Sequence, residues 1–103
     1  DDLKLEARIS FVQAALGWEI DIPTIDGKVK MKVPAGTQTN TIFRLAGKGI
    51  RNLRGYGSGD LFVKAVIQTP AKLSKKQKEL LEEFDDLDKE TKKGLFDKIK
   101  DAL

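Results

Sequence analysis

Glu19 and Asp21 stand two residues apart in Trp18-Glu19-Ile20-Asp21-Ile22, a segment that alternates apolar and polar. On an extended chain this spacing puts both carboxylates on one face, where a pair could divide acid and base work. A plainer arrangement fits the same residues. Lys30 and Lys32 recur with the same period in Val29-Lys30-Met31-Lys32-Val33. Two such strands joined by a turn would set opposite charges across from one another, an ordinary stabilising pattern. The plainer reading is preferred.

The other chemical candidates are similarly placed. Gly47-Lys48-Gly49 suggests phosphate cradling, but a P-loop needs Gly-x-x-x-x-Gly-Lys followed by Ser or Thr, and here Ile50 follows Gly49. Lys48, Arg51, Arg54 and Tyr56 lie in the glycine-dense stretch from Ala46 to Leu61. Charge and stacking there could hold single-stranded nucleic acid through the 48–56 loop. One aromatic with three cations is a thin set for that work, and a solvated loop turning between strands is the alternative. Asp85, Asp86, Asp88 and Glu90 lack the glycine and terminal glutamate of a calcium loop and read as a solvated helix end. The chain has no Cys and no His. That excludes disulfides, thiolate nucleophiles, histidine bases and any ordinary zinc site. The chain is therefore expected not to be an enzyme and to carry neither cofactor nor metal.

The elements that must position these residues follow from periodicity. Leu3 to Ile9 alternates as a half-buried strand. Phe11 to Leu16 is predicted as a short helix, capped by Ser10 and ended by Gly17 in a left-handed conformation. Trp18–Ile22 and Val29–Val33 form a hairpin around Asp26-Gly27, a pair suited to a type I′ turn. Pro34 to Asn40 is a loop and Thr41 to Leu45 a further strand. Leu61 to Gln68 is the last strand, stopped by Pro70.

The period then changes. Ser74 and Gln77 form a capping box. Leu80, Leu81, Phe84 and Leu87 make an apolar stripe at helical spacing; Asp88 to Gly94 is a charged interruption. Leu95, Phe96, Ile99 and Leu103 make a second stripe. A helix of so few residues is marginal alone and must dock. The docking surface is its own sheet or a second copy of the chain, and its place beyond a charged linker favours the second copy. Strands first and helices last give an α+β class, mainly β.

The 103 residues suit one modest core, with 40% hydrophobic and 34% charged residues. Residues 1–70 carry ten Lys/Arg against seven Asp/Glu, and residues 71–103 nine of each. The surplus of +3 is thus small and lies in the first part, a weaker basic face than a dedicated DNA binder shows. No apolar run approaches the ~20 residues needed to cross a bilayer. The start, Asp1-Asp2-Leu3-Lys4, is unlike a signal peptide and lacks Met, and it reads as a cut from something longer.

Several motifs occur in a fixed order: Ala14-Ala15-Leu16-Gly17, Ile22-Pro23-Thr24-Ile25-Asp26-Gly27, Val33-Pro34-Ala35-Gly36-Thr37-Gln38, Phe43-Arg44-Leu45-Ala46-Gly47-Lys48-Gly49-Ile50 and Gly59-Asp60-Leu61. Leu73 to Leu81 and Phe96 to Leu103 continue the series. Together they resemble the second C-terminal β-domain of DnaJ-type co-chaperones, the 40-kDa heat-shock family, in its bacterial form. Each motif alone is weak; the ordered set covers essentially the whole chain.

The resemblance implies a small antiparallel β-sandwich-like domain over residues 1–70, with a short helix after the first strand. It implies a C-terminal helical dimerisation segment over residues 71–103. Leu95, Phe96, Ile99 and Leu103 inherit the homodimer contact, and the first stripe of Leu80, Leu81, Phe84 and Leu87 either packs on the sheet or supports the dimer. Leu3, Leu5, Ile20 and Ile22 are the positional candidates for holding unfolded client polypeptides, and a plain core role is the alternative. The family's J domain, with its His-Pro-Asp contact to a DnaK-type ATPase, has no counterpart here, because the chain has no histidine. The family's zinc module is missing too. A cytoplasmic location is part of the same expectation.

Overall fold

A computed structural model describes residues 2–25, 27–49 and 59–102. Among these described residues five strands and two helices follow in the order β1 (Leu3–Ser10), α1 (Phe11–Leu16), β2 (Trp18–Thr24), β3 (Gly27–Val33), β4 (Ile42–Leu45), β5 (Leu61–Gln68) and α2 (Lys75–Ala102). The chain divides into two compact units, Asp1–Pro70 and Ala71–Leu103. The class is α+β, mainly β.

In the first unit, β1, β5 and β4 form one sheet, in the order β1-β5-β4, and β2 and β3 form a second. The strands follow the two-residue period. Leu3, Leu5, Ala7 and Ile9 point inward from β1, and Leu61, Val63 and Ala65 from β5. Ile22, Met31 and Val33 meet them from the hairpin, so the two sheets share one apolar core. Ile9, Val33 and Val63 are its most deeply buried large side chains.

The pairing is not wholly antiparallel. β4 runs antiparallel to β5, but β1 runs parallel to it, with Leu3 opposite Leu61 and Ser10 opposite Gln68. Alternation predicts a strand and its buried face; it carries no information about the neighbour or its direction.

Local signals fix the connections. The Ser10 hydroxyl accepts from Gln13 N at 3.0 Å, and Ser10 N donates to the Gln13 side chain at 3.1 Å, a complete capping box. Gly17 ends α1 with φ +87°. A Cβ there would meet Ala35 N at 3.0 Å and Val33 O at 3.2 Å, so both backbone angle and space demand glycine. The hairpin ladder closes at Thr24 opposite Gly27, which leaves Ile25 and Asp26 as the connection. Asp26 and the expected turn type lie outside the described residues.

Among its described residues the second unit contains a single helix. The expected interruption at Asp88–Gly94 does not break it, and α2 runs 28 residues. Asp85–Lys89 and Asp88–Lys92 pair at 3.1 Å one turn apart, a spacing that supports a helix. One interior glycine costs only about 1 kcal/mol, too little to stop a helix otherwise rich in Lys and Glu.

Candidate functional site

The two apolar stripes predicted from sequence lie on one helix. Ser74 caps it: its hydroxyl accepts from Gln77 N at 3.1 Å, and Ser74 N donates to the Gln77 side chain at 2.8 Å. At 1.5 Å per residue the helix is about 42 Å long. At about 100° per residue, Leu80, Leu81, Leu87, Leu95 and Ile99 all fall within about 60° of Phe84. Phe96 sits about 120° away, at the margin of the stripe. Thr91 occupies the middle of the same face, its hydroxyl donating to Leu87 O at 3.1 Å. No described side chain of α2 is buried, and Leu80, Phe84, Leu87, Leu95, Phe96 and Ile99 are each more than half exposed. Leu103 lies outside the described residues.

Charges flank this stripe. The Asp85 carboxylate accepts from Lys89 and holds that ammonium above its ordinary range. Such exposed pairs steady the helix and leave its apolar face unaffected.

Leu3, Leu5, Ile20 and Ile22 are brought to the core side of the sandwich. Leu3, Leu5 and Ile20 are half-buried against the core cluster, and Ile22 is within it, 3% exposed. The first three retain surface; Ile22 belongs to the packing itself.

Glu19 and Asp21 take their places on the solvated hairpin face. Glu19 stands opposite Lys32 and Asp21 opposite Lys30, and Lys30 Nζ reaches Glu19 at 3.6 Å. The preferred charge-pairing arrangement is the one observed. Among the described residues no group of three acidic side chains is disposed to hold a metal. No described helix is long and apolar enough to cross a membrane.

At the glycine-dense loop, the described ends are pinned. Asp60 accepts from Arg44 Nε at 2.6 Å and from Gly47 N at 3.0 Å. Asp60 N donates to the Asp2 carboxylate at 2.8 Å, and Gly49 N donates to Gly59 O at 2.9 Å. The bond from Gly47 N, then that from Arg44, hold the Asp60 carboxyl below its ordinary range. Lys48 N donates to Leu45 O. Arg51, Arg54 and Tyr56 lie outside the described residues.

Other exposed apolar residues escape the sequence reading. Trp18 and Ile42 are 55% and 62% exposed. Trp18 shares the parity of Ile20 and Ile22 but stands at the first residue of β2, and Ile42 falls on the Arg44 side of β4, so an apolar residue type alone does not reveal their exposure.

Family comparisons agree with this architecture. The DnaJ C terminal domain model matches residues 1–70, and the model for the chaperone protein DnaJ C-terminal region matches residues 76–103. The chain is 54% identical over 108 residues to the chaperone protein DnaJ of Geobacillus thermodenitrificans, covering 100% of this chain and 28% of that protein. The chaperone protein DnaJ of Desulfitobacterium hafniense is 53% identical over 107 residues, again covering 100% of this chain and 28% of the relative. That of Ruminiclostridium cellulolyticum is 56% identical over 102 residues, 95% of this chain and 27% of the relative. The chain thus spans little more than a quarter of the length of these curated relatives. On the matched strands, the matched helix and the full-length identity, the chain belongs to the DnaJ C-terminal domain family.

Proposed function

We propose that this chain is the non-catalytic, self-associating end of a DnaJ-type co-chaperone, and that it helps hold unfolded client polypeptides for a DnaK-type chaperone. The observation that carries the reading is the α2 stripe, a long apolar face with no buried side chain. A second copy of α2 is its natural cover, because two such faces exclude water from each other. Leu95 sits near the centre line of the stripe and Ile99 one turn beyond. Phe84 and Leu87 extend the contact, with Phe96 at its margin; Leu103 joins the set on its sequence spacing alone.

Dimerisation would put two client-holding surfaces on one particle. Two weak contacts to one unfolded chain then act at high effective concentration and raise avidity with no new contact. Leu3, Leu5 and Ile20 are the accessible part of each surface, supported by Ile22. The edges of the β2–β3 ribbon add a place where extended clients can pair by strand addition.

The test is molar mass by light scattering over a concentration series, for the full chain and for Leu95→Asp combined with Ile99→Asp. A dimer is expected for the full chain, and a monomer with an unchanged β-sheet circular dichroism signal for the variant. A variant that stays dimeric places the contact elsewhere. A full chain that is monomeric throughout removes the avidity argument.

A further inference from the structure

The three-stranded sheet has a second face, opposite Leu3 and Leu5. Its side chains follow from the register. Arg44, Phe62 and Lys4 form one row across the strands; Ile42, Lys64 and Glu6 form the next; Val66 and Arg8 form the third. Four cations thus stand with a single carboxylate, and three apolar side chains are set among them. Arg44 is engaged by Asp60. Among the described residues, Lys4, Arg8 and Lys64 have no ion pair.

The hairpin of the same chain shows the contrast. Its outward face sets Lys30 and Lys32 against Asp21 and Glu19 and leaves only Lys28, opposite Pro23, without a facing carboxylate. The outer face of the three-stranded sheet is less compensated: Glu6 stands beside Lys64 and Asp60 holds Arg44, which leaves a surplus of two cations around Ile42, Phe62 and Val66. It is also firmly built, since β5 is paired on both sides and Val63 and Ala65 beneath it are fully buried. A surface held rigid before binding loses little freedom when a partner arrives.

We propose that this outer face docks an acidic peptide segment that also carries aliphatic side chains. Carboxylates would meet Lys4, Arg8 and Lys64, and the aliphatic groups would cover Ile42, Phe62 and Val66. The interleaved apolar groups favour such a peptide over nucleic acid, whose phosphates would find only the cations and whose bases would find a single, half-buried aromatic.

The test uses the full chain and fluorescence anisotropy with three labelled probes: a glutamate-rich peptide with interspersed leucines, its lysine-for-glutamate counterpart, and a single-stranded oligonucleotide. The acidic peptide should bind, more weakly as salt rises, and the lysine peptide should not. Lys4→Glu with Lys64→Glu should weaken binding by about tenfold or more, with the β-sheet signal intact. Ile42→Ser, at an exposed position, should weaken it severalfold at unchanged salt dependence. Lys28→Glu with Lys32→Glu on the hairpin should leave it unchanged. The proposal is overturned if the acidic peptide does not bind, if the hairpin variant loses as much as the sheet variant, or if the oligonucleotide binds more tightly than the peptide.

Discussion

Asp60 links three parts of the chain with one side chain and its backbone groups. Its carboxylate takes the Arg44 guanidinium and Gly47 N, while its own N–H and C=O engage Asp2 and Leu3 N. The carboxyl is held below its ordinary range in the folded chain. Its stabilising contribution is therefore present above the ordinary aspartate range and is lost as pH falls through the lower, folded-state value. Asp60→Asn should lower the melting temperature at neutral pH, and the gap from the parent chain should close on acidification; a gap that is the same at all pH values would show that charge plays no part. The Gly59-Asp60-Leu61 motif is visible in the sequence, but the Asp60 bonds are not, because they join residues distant along the chain.

At the scale of the element, α2 shows what a pattern reading misses. The apolar residues, the capping box and the helical period are all legible. The charged run at 88–94 reads as a linker because its residues are polar on every side. Polarity does not end a helix; loss of backbone bonds does, and Asp88–Lys92 supports those bonds instead. Gly94 remains the weak point. With open space around its Cβ position, Gly94→Ala should raise helix content and stabilise α2 by about 1 kcal/mol, read as a higher midpoint in thermal circular dichroism. No change would mean that the helix is already fixed by contacts stronger than propensity.

At the scale of the whole chain, the inward faces of the strands are legible residue by residue. The parallel pairing of β1 with β5 is not, since the period that marks a strand is the same for either direction. A chain starting at Phe11 should lose this pairing, uncover Leu61, Val63 and Ala65 and fail to melt cooperatively. Retention of a cooperative transition would show that β1 is dispensable to the core.

The β1–β5 pairing also orders events in time. β1 finds its partner 58 residues later, Leu3 against Leu61, so in a chain leaving the ribosome β1 waits for this pairing until β5 has been made. The β2–β3 hairpin closes from adjacent residues and has no such wait. In synthesis, then, the pairing within the Asp1–Pro70 unit begins with the hairpin and is completed by β1.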